Sequence, residues 1–474
     1  MALGTSRRDA IVRERAKRTR LRRPISNSRT GATTRRERLW ARLMRWLVSS
    51  HTRFFAPPTK KACVRLRTLL QHEARDSLGT SPTRLAILVS HPIQHFAPWH
   101  AEAARRQALE LKVFFYSDWG LSGLVDPGFG QSLTWDVPLL EGYEHEFLPM
   151  AQKLDVINDP RLDNPTVAEH LTAFAPDVVK VFGYSHKTTR RAADWAMRNR
   201  KPLLLYSDSN LKAQPTWKGW LKRPVVGRFY RKVDGALYVG DNNRDYHRFY
   251  GMPEDRLFEG CLPVDRKRLQ ASVPDVAAAR RKVREQYGIP DEAFVLLFCG
   301  KYIERKRPLD VLRAAAEVGP EVWALMVGEG EMRPQMEAFT TSAATKNATL
   351  TGFVNQKAVP EYYAAADTLV VSSSYDPHPL IVTEAAIFGL PIIASDQVGC
   401  IGKHDTARPD VNTLVYPCGN VPALAEAVRK LEGDRELRER LSAGSREIGA
   451  TQDTVAAAAQ LENAVLRLAA LGKR

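Results

Sequence analysis

The sequence predicts an α/β protein made of two doubly wound parallel-sheet domains, and three observations carry that prediction. The chain has 474 residues, more than one hydrophobic core ordinarily serves, since single cores stop growing beyond about 250 to 300 residues. Its hydrophobic and charged contents, 44% and 26%, are those of a globular protein rather than a disordered one. From residue 85 onward, short runs of Val, Ile, Leu and Phe alternate with stretches of helical composition, the pattern of strands covered on both faces by helices.

The first series of strands is expected at 85–90, 111–117, 178–183, 203–207 and 235–239. A second series follows at 294–300, 322–327, 350–353, 368–372 and 391–394, separated by helical segments such as 308–318. Between them, Cys261-Leu-Pro-Val-Asp265 leads into a charged stretch with few strand formers. This places one domain at 81–265, a linker at 266–288 and a second domain at 289–452. Residues 453–474 are rich in Ala and Leu and predict a helix long enough to pack across a neighbour. No repeat of solenoid length interrupts this plan.

The formal charge of +17 resembles a nucleic-acid signal until it is divided along the chain. Residues 1–80 hold 21 Lys and Arg against 5 Asp and Glu, a net of +16, which leaves 49 against 48, or +1, for residues 81–474. The excess belongs to a basic N-terminal extension, and a folded part so nearly neutral lacks the footprint of a nucleic-acid binder. The five cysteines, Cys63, Cys261, Cys299, Cys400 and Cys418, form neither a CxxC pair nor a short framework, so a reducing cytoplasm fits best. No apolar run of spanning length and no signal-peptide pattern is present.

Three segments of the second half carry chemistry. Val-Gly-Glu-Gly-Glu-Met at 327–332 follows an apolar strand, and Gly328 and Gly330 let the backbone turn tightly and approach a ligand, or simply turn. The complete GxGxxG fingerprint is missing, which disfavours a nicotinamide enzyme. Phe-Cys-Gly-Lys-Tyr-Ile-Glu-Arg-Lys-Arg-Pro at 298–308 ends a strand, putting several cations at the carboxyl edge of the sheet, where open α/β folds bind ligands. A diphosphate suits those cations; a solvated basic loop is the plainer alternative. The third segment runs from Asp376-Pro-His-Pro-Leu380-Ile381-Val-Thr-Glu384 to Gly389-Leu-Pro391. It opens a helix whose first N–H groups, at Leu380 and Ile381, face phosphate oxygens. Glu384, on the second turn, suits the hydroxyls of a ribose.

From about residue 84 to the end, these motifs and their order resemble the retaining GT-B glycosyltransferases of family 4, also called group 1 glycosyltransferases. Asp376 to Glu384 is similar to that family's E-x7-E motif with Asp in the first place. The resemblance implies a fold of two Rossmann-like domains facing a central cleft, with Asp376 addressing the transferred sugar and Glu384 the ribose. It also implies that Lys301 and Lys306 clamp the diphosphate. Lys301 stands where the family has Arg, and an ammonium is a point charge rather than a fork. In the first domain, Ser-His91-Pro-Ile-Gln94-His95-Phe at 90–96 occupies the place of a Gly-rich loop. Either histidine, with Gln94, faces phosphate or acceptor, or is packed in the core. Where many relatives carry a histidine, this chain reads Tyr-Ser-Asp208-Ser-Asn at 206–210, and Asp208 is the nearest polar candidate.

The implied reaction is transfer of a sugar from a nucleotide-sugar donor to a hydroxyl with retention of configuration, in envelope polysaccharide or glycolipid synthesis. The donor is a co-substrate, and no other cofactor is expected. No Asp-x-Asp pair occurs, which suits a metal-independent site built on cations and a helix N-terminus. Rival readings are a nucleotide-sugar epimerase or a phosphorylase of the same fold, and a catalytically degenerate binding protein with an Arg-rich nucleic-acid-binding tail.

A membrane is the remaining partner. Around 37–55, Leu39, Trp40, Leu43, Trp46 and Leu47 gather on one side of a helix and Arg38, Arg42 and Arg45 on the other, an interfacial pattern. A second basic and aromatic stretch spans 217–232. Together they predict a cytoplasmic enzyme peripheral to the inner face of the membrane, acting on a lipid-linked or saccharide acceptor; an organelle transit peptide and a misassigned start are the alternatives for 1–80.

Overall fold

The structure is a computed structural model that describes residues 81–121, 125–126, 131–132, 135–151, 159–213, 216–342 and 347–472. The basic extension and its expected helix lie outside the described residues. Residues from Ser81 onward form one compact unit with two lobes.

The first lobe contains β1 (Thr83–Val89), β2 (Leu109–Phe115), a small hairpin of β3 (Val125–Asp126) and β4 (Gln131–Ser132), β5 (Glu144–Phe147), β6 (Val178–Phe182), β7 (Leu203–Tyr206), β8 (Gly235–Tyr238) and β9 (Leu257–Glu259). The second contains β10 (Phe294–Cys299), β11 (Val322–Val327), β12 (Ala348–Leu350), β13 (Thr368–Val371), β14 (Ile392–Ser395) and β15 (Thr413–Tyr416). The main sheets run in the order β5-β2-β1-β6-β7-β8-β9 and β12-β11-β10-β13-β14-β15, and every pairing in them is parallel. This is the GT-B architecture. Numbered within its own lobe, each order begins 3-2-1-4-5-6, so the chain reverses direction beside β1 in one sheet and β10 in the other.

Burial explains why these segments became strands. Residues 85–89 and 295–297 are almost wholly buried, as expected of central strands covered by helices on both faces. The sequence pattern missed β5, β9 and β15. Each is short, and β5 reads Glu-His-Glu-Phe on the sheet edge, without an apolar run to reveal it.

The expected linker at 266–288 is a correction. It holds two helices, Arg266–Ser272 and Val276–Tyr287, with Asp265 and Asp275 accepting at their N-termini. The second helix belongs to the second lobe. Its Ala279, Val283 and Arg284 are buried, and Arg280 and Arg284 each pair with Asp367 at 2.8 Å.

The C-terminal helix, Thr454–Leu471, returns to the first lobe, where Ala457, Leu461, Val465 and Leu468 join the core beneath β1. Asp453 caps that helix through Ala456 N and pairs with Arg266 at 2.8 Å. The two chain crossings between lobes are therefore fastened to each other. A seam ties the lobes further: Asn242 Nδ2 donates to Gly399 O at 3.0 Å and Ile401 O at 2.9 Å, and Lys212 Nζ to Asp396 O at 2.9 Å. Among the described residues no helix is long and apolar enough to cross a membrane.

Candidate functional site

The two reversal points face one another. A cavity of about 430 Å³ lies between them, lined from the first lobe by His91, Gln94, His95, Trp119 and Trp135, and from the second by Lys301, Gly328, Phe353, Leu380, Ile381 and Glu384. Eight of the residues predicted from sequence meet there.

The second-lobe wall is set by three local devices. Gly300 and Lys301 leave the carboxyl end of β10, and β11 ends against them at Gly328. A Cβ on Gly328 would stand 1.9 Å from Gly300 O, and its φ of +149° favours glycine. The loop can close this tightly only because position 328 lacks a side chain. Gly330 does not line the cavity: its added Cβ would strike Tyr302 O at 2.6 Å, so this glycine serves packing. Beyond β13, Pro379 enters the helix Leu380–Ile387 without a side-chain cap, leaving its first N–H groups toward the cavity.

Glu384 sits one turn further along. Its Oε2 accepts from the Tyr363 hydroxyl at 2.6 Å, and Tyr363 is itself buried and stacked on Phe388 at 5.6 Å. Burial raises the Glu384 pKa, while the Tyr363 hydrogen bond and the Arg268 charge act in the opposite sense. Cys299, beside it, is pushed up to about 12 by burial and is a thiol rather than a thiolate at neutral pH.

On the facing wall, His91 Nδ1 lies 2.9 Å from Ser90 Oγ, and its ring meets Trp119 edge-on at 4.9 Å. Burial, followed by His186, lowers His91 to about 4; burial, followed by His91, lowers His95 to about 3. Both imidazoles are neutral at pH 7. They present hydrogen-bonding groups rather than cations.

The other predicted residues form a charged cluster adjoining the same segment. Lys306, at the end of a 3-10 turn (Glu304–Lys306), is ion-paired with the buried Asp376. Ser372 Oγ fixes that turn by donating to Lys306 O at 2.8 Å, and Arg305 holds Tyr375 O. Asp208 follows β7 in the opposite lobe. Its pKa is raised by burial first and by Asp376 second, and the same two carboxylates act on Tyr375. Asp208 and Asp376 thus approach from different lobes, and Lys306 pairs with Asp376. Among the described residues, no three His, Cys, Asp or Glu side chains gather as a metal site.

Residues 279–448 match the family described as glycosyl transferases group 1. Over that segment the chain is similar to the group 1 glycosyltransferases. It is 27% identical over 245 residues to an alpha-D-kanosaminyltransferase of Streptomyces kanamyceticus, covering 50% of this chain and 60% of that protein. It is 33% identical over 161 residues to the lipopolysaccharide core biosynthesis glycosyltransferase LpsD of Rhizobium meliloti, covering 33% and 45%. The chain thus spans about half the length of the curated relatives it matches. Among solved structures, Anabaena Alr3699/HepE in complex with UDP and glucose superposes with a TM-score of 0.60 at 17% identity, over 80% of this chain and 98% of that one.

The matched segment includes Lys301, Lys306, Gly328, Asp376, Leu380, Ile381 and Glu384. It also begins inside the helix Val276–Tyr287, in agreement with the corrected lobe boundary. Sequence reasoning missed Tyr363, Phe353, Trp119 and Trp135. Tyr363 sits in a Tyr-Tyr pair on the helix Val359–Ala365, and no local pattern marks which tyrosine turns toward Glu384.

Proposed function

We propose that the protein transfers a sugar from a nucleotide-sugar donor to a hydroxyl acceptor, with retention of anomeric configuration and without a metal ion. One observation carries this reading: Lys301, the open N-terminus at Leu380 and Ile381, and Glu384 line one cavity, the chemistry required by a diphosphate joined to a ribose. Glu384, oriented by Tyr363, accepts from the ribose hydroxyls. Lys301 and the helix N–H groups hold the diphosphate, and Lys306 meets the charge that develops on it as the glycosidic bond breaks.

Asp376, kept in place by Lys306, addresses the hydroxyls of the transferred sugar. Asp208, which holds its proton more tightly than an ordinary aspartate, faces the sugar from the acceptor lobe. Because the leaving diphosphate is already on the donor, positioning and charge stabilisation suffice. The acceptor hydroxyl attacks the face that the diphosphate leaves, and its proton passes to a diphosphate oxygen. The relative named for lipopolysaccharide core biosynthesis supports an acceptor in envelope polysaccharide or glycolipid synthesis.

The test is to incubate the full chain with UDP-, GDP- and ADP-sugars, with and without saccharide and lipid-linked acceptors. Acceptor-dependent release of nucleoside diphosphate, with an axial donor linkage kept axial in the product, is expected. An epimerised sugar from donor alone points to the epimerase, and salt-sensitive nucleic-acid binding without donor turnover points to the binding protein.

A further inference from the structure

The helix Thr216–Tyr230 has two apolar faces. Val226, Phe229 and Tyr230 are buried against the lobe. At about 3.6 residues per turn, Trp217, Trp220, Leu221 and Val225 fall on the opposite side, and their exposures are 60%, 56%, 69% and 76%. Among the described residues, the other large exposed apolar residues are Leu121, Phe147, Met197, Val276, Val411, Val415 and Leu471, scattered over separate parts of the chain. Four on one helix face are a patch, and a patch marks an interaction surface.

Its charge selects the partner. Residues 216–232 contain six Lys or Arg and no Asp or Glu. Lys222 and Arg223 are exposed and flank the apolar face on either side. The Arg223 guanidinium lies 4.9 Å from the Trp220 ring centroid and 5.4 Å from that of Phe249, which fixes both at the rim. A second copy docking by the same face would bring cations against cations, and a nucleic acid offers nothing to Leu221 and Val225. An anionic bilayer satisfies both halves: Trp and aliphatic side chains enter the acyl boundary while Lys and Arg meet head groups.

We propose that the outward face of this helix docks the protein on an anionic lipid surface and presents the cleft to an acceptor carried on a lipid. The connection to the site is short. β7 delivers Asp208, the 3-10 turn Leu211–Ala213 follows, and its Lys212 touches Asp396 O at 2.9 Å across the seam before the helix begins at Thr216. The lipid-carried acceptor rests on the transferase reading; the docking does not.

The experiment is vesicle flotation of the full chain on phosphatidylglycerol and on phosphatidylcholine vesicles, without substrates. Wild type is compared with Trp217→Ser/Trp220→Ser/Leu221→Ser/Val225→Ser and with Lys222→Glu/Arg223→Glu. Binding to phosphatidylglycerol alone is expected for wild type, with about a tenfold or larger loss in each variant and unchanged melting temperature and nucleotide binding. Equal flotation of wild type and both variants would overturn the proposal, as would failure of wild type to float or a concentration-dependent dimer abolished by the same substitutions. Loss of donor turnover with flotation intact would count against the transferase reading alone.

Discussion

The Tyr363 hydroxyl donates to Glu384 Oε2 at 2.6 Å, so the carboxylate at the back of the cleft is oriented from the helix behind it. Glu384→Ala is expected to weaken nucleoside diphosphate binding by roughly ten- to hundredfold, the worth of a charge-assisted hydrogen bond at about 1.5 to 3 kcal/mol. Tyr363→Phe removes an orienting bond and is expected to cost about fivefold. The hydrogen bond favours the ionised carboxylate, so its loss raises the Glu384 pKa further. Nucleotide affinity should then fall at a higher pH in Tyr363→Phe than in wild type, a shift readable by titration calorimetry at several pH values. Identical pH profiles would remove Tyr363 from this role.

Lys306 is paired with Asp376 across the loop that leads into the donor helix. Lys306→Ala is expected to lower kcat more than it raises KM, because loss of one electrostatic donor to developing charge typically adds about 2.7 to 4 kcal/mol to the barrier. A variant with full kcat would refute the assignment. EDTA should change neither protein.

Asp405 predicts a pH-dependent seam. Its Oδ2 accepts from Asp241 N at 2.9 Å, His404 Nδ1 lies 2.9 Å from Asp241 Oδ1, and Lys212 and Arg408 face the pair. Burial raises the Asp405 pKa to about 7, above its unfolded value. The folded state therefore holds a proton that the unfolded state releases near pH 4. The stability this confers is complete below pH about 4 and is lost as pH rises toward 7, by on the order of a few kcal/mol. Asp405→Asn should be the more stable protein at pH 8 and nearly equal to wild type at pH 4.5. Parallel melting curves across that range would contradict the linkage.

Lys180 points into the first-lobe core, with Nζ 4.0 Å from the Trp99 ring centroid and 3.9 Å from that of Phe182. Burial lowers its pKa well below the ordinary value, so folding costs free energy wherever the unfolded lysine is protonated. Lys180→Met is expected to stabilise the protein at pH 7 by about 1 to 4 kcal/mol, with the gain shrinking toward pH 10. Destabilisation at pH 7 would mean that the aromatic faces outweigh the loss of hydration.

Much of this was legible in the sequence because the relevant signals are local. Parallel strands such as β1 and β11 announce themselves as apolar runs, and Lys301 and Glu384 follow from their spacing around a strand end and a helix start. Tyr363 was illegible because its role depends on which side of a buried helix faces Glu384. The helix Val276–Tyr287 was hidden by its charges, since Arg280 and Arg284 read as solvated until Asp367 is seen opposite them. The place of Gly330 off the cavity wall was hidden for a related reason: a glycine needed by the Tyr302 backbone and one needed by a phosphate look alike in one dimension.

The most direct test of the donor site is thermal stabilisation of the full chain by UDP-, GDP- and ADP-sugars, alongside a Lys301→Ala/Glu384→Ala variant. A ligand that binds only the folded state stabilises it by about 2.7 kcal/mol at one hundred times its Kd. At least one nucleotide sugar should raise the melting temperature of wild type and leave that of the variant nearly unchanged. Failure of every nucleotide sugar to stabilise wild type, or equal stabilisation of the variant, would contradict the cleft as the donor site.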